Sequence, residues 1–200
     1  MNYKAMIPFL DEEELKQLAQ KVAESPDGNY QGVTYSNLLP FLDEDDVDML
    51  MLSFYRKGQD LCHFYPFASD EGFSRLVDEI VKNGNPSIDL RGLFPFLEDE
   101  DLTKLLNFIL AQGGSFGGVD GNDLLPFLDD DDIDKLFIAQ VKNHDPRAKK
   151  TVAFASEDAL HELVKEYVSH PEADLELDEF YPFMDEDDVR TLFKANLERN

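Results

Sequence analysis

Cysteine is almost missing from this sequence: Cys62 stands alone among 200 residues. No internal disulfide can form, and a reducing, cytoplasmic setting is the expectation. Basic residues are scarce too. Eighteen Lys and Arg face 43 Asp and Glu, for a formal charge of −25. A field of that sign repels nucleic-acid phosphates and anionic lipid heads, and attracts cations or basic protein surfaces. No apolar run approaches the roughly 18 residues of a membrane-spanning helix. The opening MNYKAMIPFLDEEELK lacks the apolar core of a signal peptide and carries acids early. Neither nucleic-acid binding nor membrane insertion is expected.

Patterns that carry catalysis are missing as well. His63, His144, His161 and His170 are scattered, with no HExxH and no Cys/His zinc spacing. Cys62 and His63 are neighbours in sequence only, whereas a nucleophile and its base must meet in space. QGGSFGG is not followed by Lys-Ser/Thr, so it reads as a turn rather than a phosphate loop. The expectation is a protein without enzymatic activity and without a cofactor.

What is present is aromatic and repetitive. Hydrophobic residues make up 42% of the chain, with 16 Phe and 7 Tyr, enough for a packed core. A Pro-Phe pair followed by an acidic cluster begins PFLDEEELKQL at Pro8 and PFLDEDDVDML at Pro40. It returns as PFLEDEDLTKL at Pro95, PFLDDDDIDKL at Pro126 and PFMDEDDVRTL at Pro182. PFASDEGFSRL at Pro66 and AFASEDALHEL at Ala153 are divergent copies, making seven units of about 29 residues. Pro8 to Pro95, Pro95 to Pro182 and Pro66 to Ala153 each span 87 positions, so a three-unit block is duplicated.

Each unit reads as a helix start. Asp11, Asp43, Asp129 and Asp185 stand at N-caps, with Glu14, Asp46, Asp132 and Asp188 three residues later. Glu98 is a weaker cap, with Asp101 at its third helical position, and Ser69 and Ser156 cap the divergent copies. Apolar residues follow at helical spacing: Leu15, Leu18 and Val22; Val47, Leu50 and Phe54; Leu102, Leu105 and Ile109. Helices of about 12–15 residues are expected, stopped near Gly58, Gly84, Gly113 and Pro146. The lead-ins VTYSNLLPFL, IDLRGLFPFL, VDGNDLLPFL and LELDEFYPFM predict a short helix with Thr34, Asp89, Asp120 or Glu176 as its cap. Proline then ends that helix, with Leu-Leu and Phe pointing inward.

The predicted fold is all-α: a tandem repeat of short helix, Pro-Phe corner and longer helix, forming one solenoid-like or compact array over residues 1–200. A pseudo-boundary lies near 113–120, in GGSFGGVD. This organisation resembles helical-repeat proteins of the HEAT or armadillo kind. The units here are shorter and carry no diagnostic motif of a named family. The resemblance covers architecture alone and implies a surface presented to partners.

Capping needs two acids per cluster, and like charges side by side repel. The surplus asks for another role. Stacked units would line Asp11, Glu14, Asp43, Asp46, Glu98, Asp101, Asp129, Asp132, Asp185 and Asp188 along one negative edge, fitting a basic protein or peptide. Divalent-cation binding by Asp43, Asp45, Asp46, Asp129, Asp131 and Asp132 is the alternative, although no window meets the EF-hand pattern. A further alternative is an acidic mimic of nucleic acid. The basic stretch KNHDPRAKK, 142–150, could instead pair with an acidic edge of another copy.

Overall fold

A computed structural model of the chain describes residues 2–84, 89–170 and 172–199. It is mostly helical, as predicted. The long helices among the described residues are α1 (Glu12–Glu24), α2 (Glu44–Arg56), α3 (Asp70–Asn83), α4 (Asp99–Ala111), α5 (Asp130–Lys142), α6 (Glu157–Ser169) and α7 (Glu186–Arg199). Each is 13 or 14 residues long and follows one acidic or serine cap. Their predicted faces are buried: Leu15, Leu18 and Val22; Val47, Leu50 and Phe54; Leu102, Leu105 and Ile109. Burying one such side chain contributes about 1.5–3 kcal/mol. Gly58, Gly84 and Gly113 take positive φ at or just after helix ends, where a Cβ would be strained.

Before the Pro-Phe pairs the chain tightens. Proline lacks the N–H that an α-helix would use, so the corner closes as 3-10 turns at Ile7–Phe9, Leu39–Phe41, Phe94–Phe96, Leu125–Phe127 and Asp178–Phe183. At most corners the residue before the proline position is covered and the phenylalanine two residues later is not. Ile7, Leu39, Tyr65, Phe94 and Val152 are buried. Phe9, Phe41, Phe67, Phe96, Phe154 and Phe183 are exposed, Phe9 to 86%. The expectation that the corner phenylalanines point inward is overturned at these six corners, while Phe127 is half-buried.

Two lead-ins form the predicted short helix. Tyr35–Leu38 starts with a Thr34–Asn37 capping box and Gly121–Leu124 with an Asp120–Asp123 box. Asp89 and Glu176 start none. Asp89 bonds Arg91 instead, and Glu179 reaches Lys149. Ile88, which opens one lead-in, lies outside the described residues. Two small hairpins were not anticipated: β1 (Asn29–Tyr30) pairs antiparallel with β2 (Val33–Thr34), Asn29 opposite Thr34, and β3 (Ser115–Phe116) pairs with β4 (Val119–Asp120). Gln31 and Gly32, then Gly117 and Gly118, supply the positive φ values such tight turns need.

The chain divides into two compact units, residues 1–105 with 117–119, and residues 106–116 with 120–200. In the first, α1 packs on α2 and α2 on α3, and α3 is tied to the start of α4. In the second, α5 packs on α6 and α6 on α7. The second unit's core gathers Phe137, Leu163, Val164, Phe180 and Leu192, with Phe137 and Phe180 edge to face at 5.3 Å. No described helix is long and apolar enough to cross a membrane.

Candidate functional site

Each acidic cluster divides its work. The first acid caps: Glu14 N–H donates to Asp11 at 2.9 Å, Asp46 N–H to Asp43 at 2.9 Å, Asp132 N–H to Asp129 at 2.8 Å and Asp188 N–H to Asp185 at 2.7 Å. Glu98 differs, receiving the Asp101 N–H on its backbone carbonyl at 3.0 Å. Anions at a helix N-terminus also meet the positive end of the helix dipole.

In four clusters the fourth acid turns inward, whereas Glu14 of the first stays exposed and accepts the Asp11 N–H at 3.0 Å. Asp46, Asp101, Asp132 and Asp188 are all buried, with Asp46 only 2% exposed. In most of these the partner comes from the preceding helix, five residues past its own cap. Lys16 of α1 lies 3.5 Å from Asp46, Ser74 of α3 donates to Asp101, and His161 Nδ1 of α6 lies 2.6 Å from Asp188. Lys104 also meets Asp101 at 3.1 Å, and Lys135 meets Asp132 at 2.7 Å.

At the divergent units the acid changes sides. Ser69 and Ser156 cap helices whose fourth position is Gly72 or Ala159. There the preceding helix supplies the carboxylate at the same five-residue offset. Asp48 accepts from Ser69 N–H at 3.0 Å and Ser69 Oγ–H at 2.5 Å. Asp134 accepts from Ser156 N–H at 2.7 Å and from its hydroxyl. These joints therefore hold a carboxylate from one side and its donor from the other. The fourth acid thus serves the joint, which removes Asp46, Asp101, Asp132 and Asp188 from any exposed edge, while the middle acids of each cluster stay at the surface.

Asp11, Glu14, Asp43, Glu98, Asp129 and Asp185 remain at the surface, as do Asp45 and Asp131. Burial lifts the Asp46 carboxyl above the usual range; Asp43 and Asp45 add to this, and Lys16 opposes it. Among the described residues no three His, Cys, Asp or Glu side chains converge so as to hold a metal ion.

What the surface offers is acid beside aromatic. A recess of about 410 Å³ in the first unit is lined by Glu12, Leu15, Phe41, Leu42, Asp43 and Asp46. Leu15, Phe41 and Leu42 give it an apolar lining, and Glu12 and Asp43 are its exposed carboxylates. Glu44 and Asp45, the middle acids of that cluster, are exposed beside it.

No protein-family model, curated protein or solved structure matches this chain.

The second unit contains a cavity of about 660 Å³, lined by His144, Lys149, Tyr167, Leu177, Glu179 and Tyr181 among others. Several of its polar groups already have partners. Lys149 pairs with Glu179 at 2.6 Å, and Tyr167 O–H donates to Asn196 at 2.6 Å. Tyr181 O–H donates to Asp178 at 2.7 Å, a bond that pushes its pKa up to about 12. Beside it Asn122, Gln140 and Thr151 close a ring. Asn122 donates to Thr151 at 2.9 Å, Thr151 to Gln140 at 2.6 Å, and Gln140 to Asn122 at 2.7 Å.

The basic stretch 142–150 is largely folded back onto its own unit. Lys142 meets Glu166 at 2.6 Å, and Arg147 bridges Asp120 at 2.9 Å and Asp145. Cys62 is exposed, and burial of its thiol together with Asp60 raises its pKa, the reverse of an activated nucleophile.

Proposed function

We propose that the protein is a non-enzymatic scaffold of tandem helix–corner–helix modules that captures basic segments of protein partners in a reducing, cytoplasmic setting. The observation that carries this reading is the exposed corner phenylalanine beside carboxylates, most developed in the recess around Phe41. A Lys or Arg side chain suits such a recess. Its methylene stem covers Leu15 and Leu42, and its charged head meets the exposed carboxylates of Glu12 and Asp43. Phe41 offers a ring face to the cation, an interaction of about 0.5–1 kcal/mol at exposed sites. The charge of −25 would draw such a segment in.

The test is fluorescence anisotropy of a labelled Lys/Arg-rich peptide, titrated at low and physiological salt. Binding should weaken as salt rises. Phe41→Ser, at an exposed position, should weaken it further while leaving the helical spectrum intact. Absence of binding at low salt, or binding indifferent to Phe41→Ser, would sink the reading.

A further inference from the structure

We infer that copies of this chain associate head to tail, the forward face of α7 in one copy docking on the rear face of α1 in the next. The contact reuses the joint that packs successive helices inside each unit.

The forward face of a long helix includes the residues five and eight positions past its cap. In helices with a packed successor in their own unit, the eighth position is closed off. Ala19, Met51, Val77, Phe137 and Val164 are all buried. The equivalent residue of α7 is Phe193, which is 63% exposed, and Leu197, four residues on, is 63% exposed too. No described helix packs there.

The rear face includes the third and tenth positions. In α2, α4 and α7 the third-position acid is buried: Asp46, Asp101 and Asp188. The tenth position also meets the preceding helix, as Ser53 does through its bond to Ala23 and Glu79 and Glu166 do through Arg56 and Lys142. On α1 this face is open. Glu14 is exposed, and beside it lies a recess of about 310 Å³ floored by Tyr3, Met6, Leu10, Leu18 and Tyr30. That volume accommodates one phenyl ring.

The charges match as well. Five positions past its cap α7 carries Arg190, which pairs with Glu186 at 2.9 Å and Asp187 at 3.3 Å of its own helix on an exposed surface. Placed against Glu14, it repeats Lys16 against Asp46. Phe193 then enters the recess, with Leu197 covering its edge. An interface joining two different faces is heterologous, so it propagates rather than stopping at two copies.

This inference is independent of the basic-partner reading, and salt separates the two. Two copies of a −25 chain repel, so self-association strengthens as salt screens that repulsion, whereas capture of a basic peptide weakens.

Sedimentation velocity of the intact chain across concentration tests it, at low and moderate salt. The weight-average mass should rise with concentration beyond two copies. Phe193→Asp on the tail, or Met6→Asp on the head, should each weaken association at least about tenfold with the circular-dichroism spectrum unchanged. An equimolar mixture of those two variants retains one good head and one good tail, so it should form a one-to-one dimer and grow no further. Arg190→Glu should weaken association, and adding Glu14→Arg should restore it. A monomer at all concentrations up to about 1 mM overturns the inference. So does association untouched by Phe193→Asp, or a mixture of the two variants that stays monomeric.

Discussion

Replacing Asp48 by Ala tests the joint between helices most directly. Asp48 is buried on α2 and takes two hydrogen bonds from Ser69, one from its N–H and one from its hydroxyl. A hydrogen bond to a charged group is worth about 1.5–3 kcal/mol. Losing both gives about 3–6 kcal/mol at face value. Relief of one buried carboxylate's desolvation offsets part of that. The expected loss is therefore about 3 kcal/mol, large against a typical total of about 5–15 kcal/mol. Ser69 retains its bond to Gly72 N–H, so α3 keeps its cap and the loss falls on the joint. Urea titration followed by circular dichroism reads the change. Asp48→Asn retains one acceptor and should recover about half of the loss. Asp45→Ala, at an exposed position in the same helix turn, should stay within about 0.5 kcal/mol of the parent. The reasoning fails if Asp48→Ala falls within that range too, or if Asp45→Ala costs as much.

Stability should respond to pH in opposite senses at Asp46 and Asp145. Hydrogen bonds and charge from Arg147 hold Asp145 below its ordinary value, so its contribution is present above the unfolded pKa near 3.9 and is lost as pH falls through the folded value. Asp46 is raised, so its contribution is fullest below the unfolded pKa and is lost as pH rises through the folded value. Urea midpoints at pH 4 and pH 7 should accordingly favour Asp46→Asn over the parent more at the higher pH, and Asp145→Asn more at the lower; either trend reversed refutes the corresponding cause. In the ring of Asn122, Gln140 and Thr151, Thr151→Val keeps the shape but removes a hydroxyl that both donates and accepts. It should cost about 2–4 kcal/mol by leaving two amides short of a partner, while Thr151→Ser costs no more than about 1.5 kcal/mol; equal effects would refute a hydrogen-bond origin.

Helix starts were legible in the sequence because a cap is a local event: Asp43 and the Asp46 N–H that it receives are three residues apart. Buried faces were legible because their period is local too. The inward turn of the fourth acid was not, since its partner comes from another helix, 27 residues away for Ser74 with Asp101 and for His161 with Asp188. A signal for it was present. Where the fifth position past a cap is an acid, as at Asp48 and Asp134, the next helix carries Gly72 or Ala159 in place of the carboxylate. The outward turn of the corner phenylalanines was not legible, because which residue of a corner is covered depends on helices distant in sequence, not on the local Pro-Phe pair. The hairpins escaped because strands of two residues are too short to alternate.

The sided placement of each carboxylate makes the modules non-interchangeable in tandem. Excise the third module alone and Asp48 would confront Asp101, two buried carboxylates with no donor between them. Remove three consecutive modules, and Lys16 inherits Asp132, a helix start of the same kind as the one it lost. Gain or loss of a whole three-module block therefore keeps the chemistry of the joint it creates, and 87 residues is the spacing that preserves it.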